Sequence, residues 1–435
     1  MSQKGSVLHW KILIGLLCGV LWGLIAPSVG LDAWTTHWIS PIGDLFVRFL
    51  KLIAIPLVMT SLVLGMTSVD DRSQLAGMGF RTAGFYLLTT ALAILVGLAV
   101  ASWVQPGTAL PADLREELST RYEIQTGMDG AVDSNLENRS WMQFIADLVP
   151  ENMMSALGAN DQMLQVVLLA LLFGLGLLQL PTATVRPVTD LFKAVQDVLT
   201  LFVSWIMQIA PYGVFALMAH VLVEISGDGE DRVWSVLAGL SWYAGTVVAA
   251  MGIHIFVVYW GLYRGIVQKS FRGMLQTIRP AILLGFSTSS SVATLPVTLD
   301  CVERGLGIAP RISRFVLPVG TTINMDGTSI YQAVSALFIA QALGMDLTLM
   351  QQGTILFTAL LASIGSAGVP GAGVVMLVVV LESIQVPVEG IALILGLERI
   401  LDMVRTALNV TGDAVVASLV SATENEQAET VISDV

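Results

Sequence analysis

Apolar residues run in long uninterrupted stretches along this chain, separated by short charged connectors. Residues 12–31, 52–69, 82–112, 162–185, 198–223 and 233–263 contain no Asp, Glu, Lys or Arg. A helix needs about 17–25 such residues to cross a hydrocarbon core. The pattern therefore predicts six membrane-spanning helices in this part of the chain. The second extends back to about Pro41 and carries Asp44, Arg48 and Lys51 in its first turns. The run at 12–31 is too long for the apolar core of a cleaved signal, so it is expected to remain as the first spanning helix.

The connectors alternate in charge. Arg72 and Arg81, then Arg186 and Lys193, then Arg264, Lys269, Arg272 and Arg279 are basic; Asp32, the stretch 113–151 and the stretch 224–231 are acidic. Basic loops stay on the cytoplasmic side, which places the N-terminus inside. The rest of the chain breaks this alternation. Residues 281–299 are uncharged, yet Arg264–Arg279 lie before them and Arg304, Arg311 and Arg314 after them. A segment flanked by basic residues on both sides, with STSSS (287–291) and Pro296 inside it, reads as a re-entrant hairpin. Residues 315–343 then cross outward, interrupted by TTINMDGT (321–328). Residues 347–381 repeat the arrangement between acidic flanks (Asp346, then Glu382 and Glu389), with ASIGSAGVPGAG (362–373) at their middle. The last helix runs from about Val388 past Ser418. Two hairpins of opposite orientation, each followed by a polar-interrupted helix, form an inverted repeat, an organisation found in secondary transporters with a midplane site. The fold class expected is an all-α polytopic membrane protein of eight transmembrane helices and two opposed re-entrant hairpins.

The last helix carries the most chemistry. With about 100° per residue, Arg405, Asn409, Asp413 and Thr406 lie at about −60°, −20°, +20° and +40° from Asp402. All five share one face. A charged residue at a bilayer centre costs roughly 2.5–3.5 kcal/mol on insertion scales, so such a stripe is expected to line a site rather than touch lipid. Asp402 can take an ammonium, and the planar fork of Arg405 can take a carboxylate. The plainer reading is an internal Asp402–Arg405 ion pair that stabilises the helix. Asp326 lies within an apolar helix beside Gly327, where unwinding would expose carbonyls. Two such acids suit a hard cation such as sodium. The serines 289–291 offer hydroxyls and N–H groups at a helix start, an anion site by its dipole. The glycines and Pro370 of 365–373 cannot continue a helix and can hinge.

Composition narrows the class. Of 435 residues, 55% are hydrophobic and 12% charged, about half the charged share of a soluble protein. The net charge of −12 is local: residues 113–151 hold nine acids against three arginines, and five acids follow Arg405. It says nothing about an acidic partner, and no nucleic acid is expected as one. The stretch 106–150 is expected to be an external loop, and Asn138 within it matches the glycosylation pattern. Cys18 and Cys301 give neither a disulfide framework nor a metal spacing. The four histidines (His9, His37, His220, His254) are scattered, which argues against a metal centre. Trp34, Trp38 and Trp141 read as interfacial anchors. No nucleotide loop, triad or zinc pattern appears, so an enzyme is not expected and transport would be ion-driven without a cofactor.

The serine-rich 289–291, NMDGT (324–328), GVPGAG (368–373) and DMVRTALNVTGD (402–413) together resemble the dicarboxylate/amino acid:cation symporters, which include excitatory amino acid transporters and prokaryotic glutamate/aspartate symporters. The resemblance covers nearly the whole chain in segment order and is dense over 281–421. It implies a homotrimer in the cell (inner) membrane with both termini cytoplasmic, and an elevator mechanism. It divides the chain into scaffold helices one and two (1–80), transport-domain helix three (81–105), the external loop (106–150), scaffold helices four and five (151–225) and the remainder of the transport domain (226–435). The substrate contacts it implies are Ser290, Ser291, Thr328, Val369, Gly373, Asp402, Arg405, Thr406 and Asn409, with the 365–373 tip as the external gate. It implies three sodium sets: Gly320, Asn324, Asn409 and Asp413; backbone oxygens at Thr322, Ser363, Ile364 and Ser366; and Tyr86, Thr89, Thr90, Asn324 and Asp326. On residues alone, Tyr86, Thr89 and Thr90 read as hydroxyls bonding back to helix carbonyls. The chain departs from the family pattern at Val292, where many relatives have serine, at Ser366, where some have threonine, and at Glu398, where aspartate is frequent. Ser289 and Met403 occupy places where relatives hold an extra arginine, for which Arg399 is a candidate substitute. Sodium-coupled import of L-aspartate or L-glutamate is expected. The alternatives are proton coupling, another acidic solute such as cystine, taurine or a C4-dicarboxylate, and a channel without concentrative uptake.

Overall fold

The computed structural model describes residues 2–67, 76–112, 114–116, 118–120, 149–158, 162–225, 230–364 and 371–433. The described chain is helical, with no strand among the described residues. Its main helices are α1 (Ser2–Ser28), α2 (Ser40–Thr67), α3 (Ala76–Val104), α4 (Met163–Gln179), α5 (Thr182–Ile225) and α6 (Glu230–Ile253). They continue with α7 (Arg279–Thr288), α8 (Ser291–Asp300), α9 (Pro310–Ile323), α10 (Asp326–Ala342), α11 (Leu349–Ile364), α12 (Ala372–Ser383) and α13 (Ile391–Ser433). Among the described residues, four helical stretches are long and apolar enough to cross a membrane: Asp32–Leu64, Gly77–Ala109, Thr182–His220 and Ser235–Val267.

Two packing groups are evident. In one, α5 lies along both α1 and α2, and α4 lies against α2. Gly15, Gly19 and Gly23 recur every fourth residue on α1, and a Cβ at any of them would run into Pro211, Phe215 or Leu222 of α5. Small residues at this spacing let helix backbones approach closely. In the other group, α10 packs against α3, α11 and α13, while α7 and α9 pack against α13. Every residue of α10 except Gln341 is buried, so α10 is the centre of this group. The groups meet where α12 packs on α2 and α13 packs on α5. Lys51 of α2 also pairs with Glu389, 2.9 Å away, across this seam.

Three helices break at their middles. Between α7 and α8, Ser289 adopts a left-handed conformation (φ 52°) and Ser290 caps α8, its hydroxyl accepting from Ala293 N at 3.2 Å. The two arms then pack side by side. Between α9 and α10, Asn324 and Met325 leave helical geometry. Between α11 and α12, residues 365–370 lie outside the described residues, and Gly371 (φ 85°) opens α12. At the exit of α8, Glu303 accepts from the Ser313 hydroxyl at 2.8 Å and from Arg314 Nε at 3.1 Å. The Arg314 bond first, then the Ser313 bond, hold the Glu303 carboxyl below its ordinary pKa.

Several boundaries differ from those expected. The uncharged run 162–185 is not one helix: α4 ends at Gln179, and α5 begins at Thr182 and continues for 44 residues. The expected connector around Arg186 and Lys193 is therefore helical. Arg186, Asp190, Lys193 and Asp197 recur three or four residues apart and form an exposed polar face of α5. The sixth helix continues past Tyr263 through widened π-type turns to Val267 and stops at the left-handed Gln268 (φ 58°). A single 3-10 turn, Val388–Gly390, precedes the final helix. Arg72, Asn138, Trp141 and most of the acidic stretch lie outside the described residues.

Candidate functional site

The polar stripe of α13 is buried throughout. Glu398, Arg399, Asp402, Arg405, Thr406, Asn409 and Asp413 all lie inside the protein. Helical periodicity puts them on one side, and neighbouring helices cover that side. Arg405, 1% exposed, donates from Nη2 to Glu398 Oε1 at 2.7 Å and to Asp402 Oδ1 at 2.6 Å. Its guanidinium carbon lies 4.2 Å from the centre of the Tyr331 ring, a cation–π contact from α10. Arg399 Nη1 donates to the other Asp402 oxygen, Oδ2, at 3.1 Å. Two acids and two bases thus balance in one buried cluster. Pairing of this kind offsets desolvation costs of several kcal/mol per ion, whereas removing one partner leaves a costly buried charge.

Glycines bring other backbones to Arg405. A Cβ at Gly373 of α12 would collide with its guanidinium, and one at Gly327 of α10 with its backbone. The start of α12 therefore abuts the fork, and the start of α10 abuts the backbone that carries it. On the other side, Gly285 of α7 packs against Thr406 and Val410. The Thr406 hydroxyl bonds back to Asp402 O at 2.8 Å.

Two turns further along α13 lies a second cluster. Asp413 Oδ1 accepts from Asn324 Nδ2 at 2.9 Å, and Gly320 leaves no room for a Cβ beside Asp413 and the Tyr86 hydroxyl. Asp326 accepts from Thr90 Oγ1 at 2.6 Å and from the Tyr259 hydroxyl at 2.7 Å; His254 Nε2 stands 3.4 Å away. Among the described residues no lysine or arginine pairs with Asp326 or Asp413. Asn324 Oδ1 is buried and has no hydrogen-bond partner. Carboxylates and an unpartnered amide oxygen, close together and dry, form a donor set suited to a hard cation. Asn409 joins the two clusters: its Oδ1 accepts from Gly327 N at 2.8 Å, and its Nδ2 donates to Met325 Sδ at 3.2 Å.

The remaining expected residues fall as follows. Tyr86 donates to Val316 O at 3.0 Å. The Thr89 hydroxyl bonds back to Tyr86 O at 3.1 Å, as the plainer reading of that helix expected, and only Thr90 reaches Asp326 with its side chain. Ser363 Oγ donates to Ile323 O at 3.2 Å and accepts from Met325 N at 3.3 Å, so it fastens α11 to the α9–α10 break. Ile364 ends α11 beside it. The Thr322 hydroxyl is turned to Val319 O at 3.0 Å. Ser291 and Thr328 are buried near the starts of α8 and α10. Ser366 and Val369 lie outside the described residues.

Glu398, His254, Tyr259 and Tyr331 were not among the expected site residues. For Glu398 the signal existed: it stands four residues before Asp402, at about −40° on the same helical wheel. The fork of Arg405 is occupied here by Glu398 and Asp402 together, so the internal ion pair of the plainer reading is present. His254 carried a weaker signal as an ionisable side chain in an apolar helix. Tyr259 and Tyr331 carried none, since their partners Asp326 and Arg405 lie 67 and 74 residues away.

Residues 8–423 match the model of the sodium:dicarboxylate symporter family. The chain is 35% identical to the proton/sodium-glutamate symport protein of Geobacillus stearothermophilus, covering 97% of this chain and 96% of that protein. It is 33% identical to the proton/glutamate-aspartate symporter of Escherichia coli (96% and 93% covered). It is 31% identical to a C4-dicarboxylate transport protein of Bacillus subtilis (96% and 93% covered).

Proposed function

The chain belongs to the sodium:dicarboxylate symporter family, a family of integral membrane transporters and not of enzymes, and we propose that its own task is sodium-coupled import of L-aspartate or L-glutamate. The observation that carries this reading is the pairing on α13 of Arg405 with Asp402. An acidic amino acid presents a side-chain carboxylate and an ammonium, and the pair offers the complement of each. On binding, the substrate's side-chain carboxylate replaces an internal carboxylate on the fork, while Asp402 takes the ammonium. The α-carboxylate goes to Asn409, Thr328 and the N–H groups around Ser290 and Ser291. Asp402 has no equivalent use for a C4-dicarboxylate, which favours an amino acid over that alternative.

The cation reading is supported by Asp413, Asp326 and the unpartnered Asn324 Oδ1. Sodium bound there would sit on both sides of the α9–α10 break and order Asn409 between the two clusters, coupling ion to substrate through one side chain. In this reading α7–α8 and α11–α12 are re-entrant hairpins beside eight transmembrane helices. The group around α10 and α13 carries substrate and ions as an elevator against α1, α2, α4 and α5 in a homotrimer of the cell membrane, with both termini cytoplasmic.

Counterflow uptake in proteoliposomes tests the proposal, with a panel of amino acids and succinate, in sodium and in sodium-free medium. Exchange of L-aspartate or L-glutamate only in sodium is expected. Equal exchange without sodium, driven by a proton gradient, would replace the ion; exchange of succinate without either amino acid would replace the substrate.

A further inference from the structure

Arg399 lies on α13 one turn before Asp402 and is 3% exposed. Its surroundings are mostly apolar: Phe46 and Leu50 of α2 and Met207, Ala210 and Val214 of α5 line the same narrow crevice, together with the acid Glu398 beside it. A guanidinium is expensive in such a place, and an alkyl side chain would fill it at less cost. The guanidinium bonds Asp402 Oδ2 at 3.1 Å, while Arg405 holds Asp402 Oδ1 at 2.6 Å. The two oxygens of one carboxylate are thus divided between two arginines.

We propose that Arg399 is a positioning residue for the substrate site: it retains Oδ2 of Asp402 and thereby keeps that carboxylate from closing on Arg405 with both oxygens. This rests on the reading of Asp402 and Arg405 as substrate contacts. A carboxylate and a guanidinium prefer a bidentate pair. With Arg399 in place, Asp402 presents one oxygen to the fork, and an incoming carboxylate has only that single contact and Glu398 to displace. Without Arg399, Oδ2 loses that bond, and the internal Asp402–Arg405 pair becomes bidentate. The substrate must then break a stronger internal contact at both its carboxylate and its ammonium positions. Affinity falls, while the rate at saturation changes little.

The test is L-aspartate uptake by Arg399→Met and Arg399→Lys in proteoliposomes. Methionine suits the apolar crevice, and lysine can still reach Oδ2. Arg399→Met is expected to raise KM about 10- to 100-fold, the range for losing a hydrogen bond to a charged group. Vmax should stay within about twofold, and Arg399→Lys should recover most of the affinity. In the Asp402→Asn background, where no carboxylate remains to close on Arg405, Arg399→Met should change aspartate affinity by less than about threefold, because residues acting as one unit are not additive. Aspartate binding read by thermal shift supplies that affinity whether or not the Asn variant transports. An unchanged KM with reduced Vmax, equal losses for Met and Lys, or full additivity with Asp402→Asn would overturn the proposal and leave Arg399 as a packing element of the seam. Absence of aspartate uptake by the unaltered protein would instead sink the functional reading on which it rests.

Discussion

Arg405 meets two carboxylates and an aromatic face without leaving its own neighbourhood, so its charge is satisfied before any solute arrives. A substrate must therefore exchange with internal partners, which favours solutes that bring a carboxylate. Asp413 differs: its Oδ1 accepts from a neutral amide, Asn324. Asp413→Asn should raise the sodium concentration for half-maximal uptake at least ~10-fold, equivalent to about 1.4 kcal/mol. A sodium titration that superimposes on that of the unaltered protein would remove Asp413 from the ion site. The α13 stripe was legible because helical period alone puts its members on one face. Glu398 was equally legible by angle, but its chemistry duplicates that of Asp402 and gave no distinct role. Of the neighbours of Asp326, Thr90 was grouped with it by family resemblance alone, and Tyr259 and His254 were not legible: the three reach it from 236, 67 and 72 residues away in sequence, and no periodicity encodes such meetings.

At the scale of elements, the interruptions were legible and the helix ends were not. The serines of 287–291 and the polar NMDGT of 324–328 mark where a helix cannot continue, and a break occurs at each; 365–370 lie outside the described residues, and Gly371 beside them is left-handed. By contrast, the charges of 186–197 read as a connector although they form one face of α5. A count of uncharged residues cannot tell a loop from an amphipathic turn. Ser289 combines left-handed geometry with a buried hydroxyl that has no partner. Both are costs, of about 1 kcal/mol each, so Ser289→Gly should stabilise the protein by about 1–2 kcal/mol in a thermal unfolding assay. A stability gain accompanied by weaker substrate affinity would mark that tip as strained for function, whereas destabilisation would contradict this account of the turn. Gly373 meets the opposite constraint. Gly373→Ala forces a methyl group against the Arg405 guanidinium and should lower aspartate affinity more than it lowers stability, with overpacking costing about 1–3 kcal/mol. Equal affinity for aspartate would show that the fork has room to retreat.

At the scale of the whole molecule, the division into a group around α5 and a group around α10 was implied only by family resemblance. Alternating loop charge orders helices across a membrane but says nothing about which helices share a core. The glycines of α1 were a signal the sequence reading did not use: the spacing of Gly15, Gly19 and Gly23 suits a close helix contact. Gly19→Leu places a side chain where the Phe215 backbone lies, and should detach α1 from α5, seen as lost thermal stability or expression. A variant as stable as the unaltered protein would place α1 elsewhere. The two packing groups matter because the proposed carrier moves one against the other, taking the fork of Arg405 and the ion cluster as a unit. That unit stands or falls on what Arg405 recognises. The most direct measurement is the uptake profile of Arg405→Cys in sodium. Loss of L-aspartate and L-glutamate uptake, with gain of a serine-sized neutral amino acid and retained sodium dependence, is the result predicted. Aspartate uptake with unchanged KM and Vmax would contradict it.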